Sequence, residues 1–307
     1  MPDPADLSAP TKANQYIGRF APSPSGPLHM GSLIAALASF LDARSYGGKW
    51  LVRMEDLDPP RETREAADDI LFALEKLHLH WDEPVLYQSK RYSAYQDAID
   101  TLTQAGQVFG CDCTRQQIQK SQGVYPGTCR DRLLQDTSGI ALRCKVSADS
   151  IFYTDRIQGK QQQNLEQDVG DFVIRRKDGF FAYQLAVVVD DAYQKITDIV
   201  RGIDLIDSTA RQICLQQLLG LPQPIYAHLP VIVNEQGQKL SKQHRATPID
   251  ISRPAELLIE SLRFLQQSPD DNLVGCSPEE ILNWGIEHWN PDNLTNMTEL
   301  QESQSGL

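Results

Sequence analysis

The segment 15–47 places a tight turn, rich in glycine and proline, between a strand and a helix. QYIGRF (15–20) predicts a short strand, and LIAALASFLDARSYG (33–47) repeats its apolar residues at helical spacing. The turn PSPSGPLHMGS (22–32) joins them and carries a histidine, His29. A helix that begins directly after a strand and a glycine-containing turn offers free backbone N–H groups to an anion. The segment therefore predicts an α/β core with a phosphate-binding turn at its first helix.

Strands and helices continue to alternate after this first unit. GKWLVRMEDLD (48–58) predicts a second strand, and residues 63–79 and 91–109 predict two helices with apolar faces. Further along, LAVVVDD (185–191) is an apolar run that fits a buried parallel strand. IDSTARQICLQQLLG (206–220) predicts a helix that a glycine closes. Alternation of this kind is typical of a Rossmann-type α/β fold with a parallel sheet.

The alternation breaks between residues 110 and 182, where Cys, Gln, Asp and Arg become frequent. Two short runs in this part, FVIRR and FFAYQ, predict strands of an inserted subdomain. A small helical region follows near the end of the sequence, and we expect its last ten residues, TELQESQSGL, to be frayed. The predicted division is a first Rossmann half, an insertion, a second half and a C-terminal region: 15–109, 110–182, 183–230 and 231–307.

The charge balance and the ends of the chain limit the class of protein. A net charge of −12 argues against a nonspecific nucleic-acid coat but permits a local basic stripe on an acidic body. The first fifteen residues lack the apolar core of a signal peptide, and no apolar run is long enough to span a membrane. We therefore expect a cytoplasmic protein whose six cysteines stay reduced.

Three cysteines lie close together at the start of the predicted insertion. Cys111, Cys113 and Cys129 fall within nineteen residues, and thiolates are favoured ligands of Zn²⁺. A structural zinc site needs four ligands, and no histidine lies between these cysteines. The chemistry of the residues alone offers Asp112 or water for the fourth position. The pattern predicts one structural zinc ion per chain, which would stabilise a loop-rich subdomain with little hydrophobic core.

A second phosphate-binding pattern follows much later in the chain. KLSKQ (239–243) contains Lys239 and Lys242 with the hydroxyl of Ser241 between them, in a loop after an apolar strand. Paired ammonium groups on such a loop suit closure over a polyphosphate. Taken with the His29 turn, the loop predicts a nucleotide site.

These two patterns resemble the signatures of class I aminoacyl-tRNA synthetases. PLHMGS is similar to the HIGH signature and KLSKQ to the KMSKS signature, with Ser32 at the last position of the first and with Leu and Gln in the second. Longer segments resemble the catalytic cores of glutamyl-tRNA synthetases over roughly residues 15–245: RFAPSPSGPLHMGSL, LVRMEDLDPPR, AYQLAVVVDDAYQKITDIVRGIDLIDSTARQ and YAHLPVIVNEQGQKLSKQ. The resemblance implies His29 and Lys242 as catalytic residues and an ATP site, used with Mg²⁺, that contains His29, Gly31, Lys239, Ser241 and Lys242.

The same resemblance implies a pocket for L-glutamate. A guanidinium grips a carboxylate through paired hydrogen bonds, so either Arg19 or Arg201 suits the γ-carboxylate. The carboxylate of Glu55 suits the α-ammonium group, and Tyr183 offers a hydroxyl on a rigid ring. The residues that match the glutamate binders of the family are Arg19, Phe20, Ala21, Pro22, Ser23, Glu55, Tyr183 and Arg201.

Only about sixty residues follow the lysine loop, too few for the anticodon-binding domain of a glutamyl enzyme. With the cysteine cluster, this brevity resembles the glutamyl-queuosine tRNA(Asp) synthetases, which attach glutamate to queuosine in the anticodon. The resemblance implies Tyr125 as the fourth zinc ligand. It also implies ATP, L-glutamate and queuosine-modified tRNA(Asp) as partners of a monomer that does not bind membranes. Two alternatives stay open, namely a truncated glutamyl-tRNA synthetase that charges a tRNA 3′ end and a noncatalytic regulatory paralogue.

Overall fold

The computed structural model describes residues 15–59, 61–132, 139–233 and 248–301. Its first unit confirms the predicted strand, turn and helix. Strand β1 (Ile17–Phe20) leads into the turn, helix α1 (Met30–Ser45) follows, and strand β2 (Lys49–Met54) returns parallel to β1.

Helix α1 lies at the centre of the molecule and organises the main hydrophobic core. Leu33, Leu37 and Leu41 have no exposed surface, because they repeat at helical spacing on a face that the rest of the fold covers. Trp50 of β2 is fully buried against this helix, and its ring meets that of Phe40 edge-on at 5.3 Å. The helix is therefore held on the sheet by close packing, which fixes the position of the turn before it.

The parallel sheet continues on both sides of β1. On one side, β2 pairs parallel with β3 (Leu86–Tyr87). On the other side, β9 (Asp198–Gly202) approaches β1 where the Thr197 N–H donates to the Ile17 carbonyl oxygen at 3.0 Å. β10 (Ile225–Leu229) pairs parallel with β9. The carboxyl ends of these parallel strands therefore lie at the same edge of the sheet, next to the start of α1.

The helices predicted around this sheet are present, and both end sooner than predicted. Residues 63–79 contain α2 (Arg64–Lys76), which the side chain of Thr63 caps by accepting from the Ala66 N–H. Residues 91–109 contain α3 (Tyr92–Gln104), which ends sooner than predicted because Val108–Cys111 forms strand β4.

The apolar run 185–191 is helical, so the prediction of a strand there was wrong. It lies within α6 (Tyr183–Tyr193), where residues 185–188 are buried. A helix that neighbours cover on nearly all sides lacks a polar stripe, so its short sequence resembles that of a buried strand. α6 packs against α7 (Ile206–Leu219), which ends at Gly220 in the left-handed conformation, as predicted.

Residues between α3 and α6 form two antiparallel pieces. Strand β4 pairs with β5 (Ala141–Cys144), which pairs with β8 (Phe172–Arg175). A hairpin of β6 (Ser150–Asp155) and β7 (Gly159–Asn164) extends the main sheet, because β6 also pairs parallel with β10. Two short helices, α4 (Arg115–Gln119) and α5 (Leu165–Asp168), lie in the connections.

The two strand predictions for this part have different outcomes. FVIRR is strand β8, as expected, because its alternate residues Phe172 and Ile174 point into a hydrophobic core. FFAYQ is not a strand: Phe181 makes an isolated bridge with Arg175, and Tyr183 already begins helix α6.

The C-terminal region contains two helices and a last strand. α8 (Pro254–Phe264) and α9 (Pro278–His288) pack against α1, and Ser277 and Glu280 cap α9 reciprocally. Residues Glu299–Gln301 form β12, which pairs parallel with β11 (Val231–Val233). The expectation of a frayed end was therefore wrong for these residues, because their backbone groups find partners in β11. No helix of the part described here is long and apolar enough to cross a membrane.

Candidate active site

A cavity of about 570 Å³ opens where β1, β9 and β10 end and helix α1 begins. Ligand sites of open α/β sheets form at this place, since the strand ends and the helix N-terminus converge there. The cavity brings together the residues predicted to bind glutamate and two of those predicted to bind ATP: Arg19, Phe20, Ala21, Pro22, Ser23, Glu55, Tyr183 and Arg201, with His29 and Gly31.

His29 is the residue immediately before α1 and caps it with its side chain. Its Nδ1 accepts from the Ser32 N–H at 3.3 Å, and its Nε2 lies 2.9 Å from the Ser32 Oγ. A neutral ring that accepts through Nδ1 carries its proton on Nε2. The imidazole is thus fixed at the positive end of the helix dipole, where an anion would bind.

The chain on both sides of the lysine loop lies beside this turn. Val231 and Ile232 line the cavity before the loop, and after it the Ile249 N–H donates to the Leu28 carbonyl oxygen at 3.1 Å. The loop itself is in 234–247, so Lys239, Ser241 and Lys242 are outside the described residues.

Arg19 and Glu55 are connected through a buried charge network that the sequence did not predict. Asp191 Oδ1 accepts from Arg19 Nε at 3.2 Å and from Arg53 Nη1 at 2.8 Å, and Arg53 Nη2 donates to Glu55 Oε1 at 3.3 Å. Gln194 accepts a further bond from Arg53. Arg53 has no exposed surface, so this guanidinium sets the relative positions of two groups that face the cavity.

The two acids of this network differ in their proton affinity. Burial raises the pKa of Glu55, although the charges of Arg53 and Arg19 act in the opposite direction. Burial also opposes the ionisation of Asp191, but there the two guanidinium groups outweigh it and lower its pKa. Asp191 is therefore the fixed negative charge between the arginines.

Arg201, in strand β9, lines the same cavity and is held by neutral groups. Its Nε donates to His228 Nε2 at 3.0 Å, its Nη1 to Gln212 Oε1 at 2.8 Å and its Nη2 to Thr209 Oγ1 at 2.8 Å. Arg201 is 4% exposed, and none of its hydrogen bonds to other described residues goes to a carboxylate. A buried guanidinium whose hydrogen-bond partners are neutral favours the binding of an anion.

His228 lies between Arg201 and the carboxylate of Asp155. Its Nδ1 is 2.6 Å from Asp155 Oδ2, and both residues are fully buried. Burial lowers the pKa of His228, and the charge of Arg201 adds to this effect although Asp155 opposes it. The imidazole is therefore neutral at physiological pH.

Tyr183, at the start of α6, completes the polar lining. Burial raises the pKa of its phenol, and the opposing charge of Arg201 reduces that effect. The hydroxyl stays protonated at neutral pH and offers the cavity both a donor and an acceptor.

The predicted metal ligands form a separate cluster at the end of β4. The sulfur atoms of Cys111, Cys113 and Cys129 all lie within 4.8 Å of one another, and those of Cys113 and Cys129 are 3.6 Å apart. Sulfur atoms on a tetrahedral zinc ion are about 3.8 Å apart, since each Zn–S bond is about 2.3 Å. The donor set therefore fits zinc. Burial and the two neighbouring thiols raise the pKa of Cys113 to about 11. Burial also opposes the ionisation of Cys111, but hydrogen bonds with Tyr125 and Arg143 outweigh it and lower the pKa of that thiol.

Both protein candidates for the fourth ligand lie next to the sulfur atoms. The Tyr125 hydroxyl accepts from the Cys129 N–H at 2.9 Å, and the tyrosine is buried beneath the guanidinium of Arg143. Asp112 Oδ1 is 3.7 Å from Cys129 Sγ, but Asp112 is exposed and its other oxygen pairs with Arg132 at 2.8 Å. Tyr125 thus has the more enclosed position of the two.

Sequence reasoning missed three of the residues that hold the cavity lining in place, namely Arg53, Asp191 and Asp155. One signal was available for Asp191: two adjacent acids end the apolar run LAVVVDD, and buried acids usually have partners. The partners come from distant parts of the chain, and local patterns do not identify them.

A family model and several known proteins match this chain. The model described as "tRNA synthetases class I (E and Q), catalytic domain" matches residues 17–268. The glutamyl-Q tRNA(Asp) synthetase of Ectopseudomonas mendocina (strain ymp) is 50% identical over 94% of this chain and 98% of its own length. That of Dechloromonas aromatica (strain RCB) is 53% identical over 90% and 95%.

Among solved structures, the glutamate-tRNA synthetase from Elizabethkingia anophelis matches with a TM-score of 0.78 at 23% identity. The match covers 95% of this chain and 69% of that one, and it establishes the class I synthetase fold with its parallel sheet. The match to the family model and the close relatives agree with this fold. The chain belongs to the catalytic-domain family of class I tRNA synthetases (E and Q), and within it to the glutamyl-Q tRNA(Asp) synthetases.

Proposed function

We propose that this chain is an ATP-dependent ligase that activates L-glutamate and transfers it to queuosine in the anticodon of tRNA(Asp). The observation that carries the proposal is the single cavity at the strand ends. Its lining includes Arg19, Glu55 and Arg201, whose charges complement those of glutamate, and it adjoins the start of α1, where free backbone N–H groups favour an anion. The acceptor, queuosine in tRNA(Asp), is inferred from the names of relatives that match nearly the whole chain.

Within this pocket we assign the γ-carboxylate of glutamate to Arg201. Arg19 already shares the charge of Asp191, whereas the contacts of Arg201 with described residues are to neutral acceptors. A substrate carboxylate gains most beside the guanidinium that has no carboxylate in contact. The carboxylate of Glu55 then binds the α-ammonium group, and the Tyr183 hydroxyl donates a hydrogen bond to a glutamate oxygen. The end of β1 and the segment that follows it contribute four further residues to the lining of the glutamate pocket: Phe20, Ala21, Pro22 and Ser23.

The first reaction is attack by the glutamate α-carboxylate oxygen on the α-phosphorus of ATP. The bond to the β-phosphate breaks, and glutamyl-adenylate and pyrophosphate form. His29, Gly31 and the N-terminus of α1 stabilise the charge on the phosphates. Lys239, Ser241 and Lys242, which are outside the described residues, are assigned to the phosphates from the sequence resemblance, with Lys242 neutralising the charge that develops in the reaction. Mg²⁺ accompanies ATP and neutralises phosphate charge.

In the second reaction a queuosine hydroxyl attacks the activated carbonyl carbon. The new ester bond forms as the bond to the phosphate oxygen breaks, AMP leaves, and the hydroxyl proton passes to solvent or phosphate. Catalysis in both steps consists of positioning and electrostatic stabilisation, since the chain supplies no covalent intermediate of its own.

The function is tested by mapping where glutamate is attached. We expect radiolabelled glutamate and ATP to give adenylate without tRNA, and the label to enter tRNA(Asp) only when it carries queuosine. Nuclease digestion should place the label in the anticodon loop. Unmodified transcripts of tRNA(Asp) and tRNA(Glu) are the controls: efficient charging of either at its 3′ end would establish the truncated-synthetase alternative. Absence of pyrophosphate exchange with every tRNA would establish the noncatalytic one.

We also propose that residues 110–182 are a zinc-bearing insertion between Rossmann halves 15–109 and 183–230, with 231–307 as the C-terminal region. Cys111, Cys113 and Cys129 would hold the ion, with Tyr125 as the favoured fourth ligand because it is buried beside the thiols. The ion would supply a cross-link between β4 and the loop that follows it.

We expect Cys129→Ser to reduce zinc from about one ion per chain to a small fraction, since structural zinc binding is coupled to local folding. Metal analysis of the purified protein measures this, and hydrogen exchange should rise in residues 110–132. Cys276→Ser removes a thiol outside the cluster and should keep the zinc. Stoichiometric zinc in Cys129→Ser would contradict the assignment, and a comparison of Tyr125→Phe with Asp112→Asn decides the fourth ligand.

A further inference from the structure

Arg201 is oriented by a chain of two buried residues that do not line the cavity. Arg201 Nε donates to His228 Nε2 at 3.0 Å, and His228 Nδ1 lies 2.6 Å from Asp155 Oδ2. A neutral imidazole has one donor and one acceptor nitrogen, and a carboxylate only accepts. The proton therefore sits on Nδ1 and bonds to Asp155, which leaves Nε2 free to accept from Arg201. Asp155 thus selects the tautomer that Arg201 requires.

The aromatic neighbour of His228 confines the ring to this orientation. The ring of Tyr226 stacks on the imidazole with centroids 6.2 Å apart and planes 9° apart, and Arg201 lies 5.3 Å from the same Tyr226 ring. Thr209 Oγ1 is 3.3 Å from His228 Nε2 and also accepts from Arg201 Nη2. Because His228 has no exposed surface, no water can replace these contacts without disrupting the core.

Asp155 belongs to a different part of the chain from the cavity lining. It is the last residue of β6, and its Oδ1 accepts from the backbone N–H groups of Ile157, Gln158 and His228 at 2.9 to 3.1 Å. These bonds fix the turn of the β6–β7 hairpin. The same carboxylate therefore organises the hairpin turn through Oδ1 and sets the tautomer of His228 through Oδ2.

We propose that Asp155 and His228 are positioning residues for the γ-carboxylate partner Arg201, so that selection of glutamate over glutamine depends on the β6–β7 hairpin. This inference rests on the proposed function of the pocket. Neither residue contacts the substrate. They act by holding the guanidinium in one orientation relative to the cavity, and a rotated guanidinium would bind the carboxylate less well and discriminate less against an amide.

The sharpest test is Asp155→Asn, which keeps size and shape. The amide oxygen can still accept from the three backbone N–H groups that organise the turn. The amide NH₂ then faces His228 Nδ1 and donates to it, so the imidazole proton moves to Nε2, where it points at the Arg201 N–H. Two donors in contact repel, and Arg201 must rotate away. We expect the glutamate KM to rise about tenfold or more, because one hydrogen bond to a charged group is lost, with the ATP KM unchanged.

Two further measurements separate positioning from simple stability. The ratio of kcat/KM for glutamate and glutamine should fall by a factor similar to the rise in KM. The nitrogen-15 shifts of His228 should report protonation at Nδ1 in the wild type and at Nε2 in Asp155→Asn. Asp171→Asn is the matched control, because Asp171 is equally buried in the insertion and accepts from the Val146 N–H, yet does not line the cavity. It should lower the unfolding temperature and leave selectivity intact.

A pair of substitutions at His228 keeps the proposal testable if Asp155→Asn folds poorly. The amide of His228→Asn can replace Nδ1 but leaves Arg201 Nε without an acceptor, whereas the longer His228→Gln brings a carbonyl oxygen within reach of Arg201. We expect the Asn variant to show the larger rise in glutamate KM. Equal behaviour of both variants, or a selectivity in Asp155→Asn equal to that of Asp171→Asn, would overturn the inference. Glutamate-dependent pyrophosphate exchange by the wild type is measured first, since its absence would reject the proposed function instead.

Discussion

Arg201→Ala will lower kcat/KM for glutamate by about 10²- to 10³-fold, because losing the buried charged partner of the γ-carboxylate costs roughly 3–4 kcal/mol of substrate binding. The ATP KM will stay nearly unchanged, since the proposed phosphate site is at the start of α1, whereas Arg201 is in β9. Pyrophosphate exchange at varied glutamate and ATP concentrations measures both constants.

Arg44→Ala is the matched control for this result. Arg44 makes three hydrogen bonds, to Asp82 and to the carbonyl oxygens of His80 and Gly48, and does not line the cavity. Its loss should change stability and leave the glutamate constants unaltered. The wild type should also turn over glutamine poorly, because an amide cannot satisfy the Arg201 donors equally. Comparable turnover of glutamate and glutamine would reject Arg201 as the γ-carboxylate partner.

Asp191→Ala will lower the free energy of unfolding by about 3–5 kcal/mol, the usual result of removing one partner from a buried ion pair. Asp191 is 3% exposed and lies between Arg19 and Arg53, so its loss leaves two guanidinium groups facing each other. Urea unfolding measures the change. The exposed pair of Lys49 and Glu83 has the same 2.8 Å separation as Arg53 and Asp191, and Glu83→Ala should leave the unfolding midpoint almost unchanged.

The same residue gives a pH dependence with a definite sign. Because its pKa is lowered in the folded protein, Asp191 contributes stability that is fully present above the ordinary aspartate pKa. That contribution is lost as the pH falls below about 4 through the lowered pKa of the folded state. The wild type should therefore lose more stability than Asp191→Asn when the pH is lowered from about 5 to about 3. Parallel loss in both proteins would contradict the role of Asp191 as the fixed charge of this network.

The elements that the sequence predicts well are those with strong local signals. The strand before the turn, the helix after it and the capped helix α9 follow from period, capping residues and turn chemistry. Helix α6 does not, because burial on nearly every side removes the polar stripe that distinguishes a helix from a buried strand. The end of the chain was misjudged for a related reason: whether Glu299–Gln301 pairs depends on β11, which lies far away in sequence.

The residues of the cavity show the same difference between those that local sequence signals predict and those that they do not. Residues such as Arg19, Glu55 and Arg201 could be assigned because they lie in segments that resemble a known family. Their supports, Asp191 and Asp155, come from α6 and from the β6–β7 hairpin, and their importance rests on hydrogen bonds to residues more than seventy positions away. Such contacts are set by the tertiary fold, which local sequence patterns do not specify.

The pairing of β12 with β11 has a consequence for protein synthesis. Strand β11 leads directly into the segment that contains the lysine loop, and its parallel partner β12 is synthesised only after helices α8 and α9. Non-local parallel pairing is slow, and chains fold from the N-terminal side while they emerge. A nascent chain can therefore complete the sheet around α1 early while β11 still lacks this neighbour. The side of the cavity that Val231 and Ile232 of β11 line would therefore be completed after the sheet around α1.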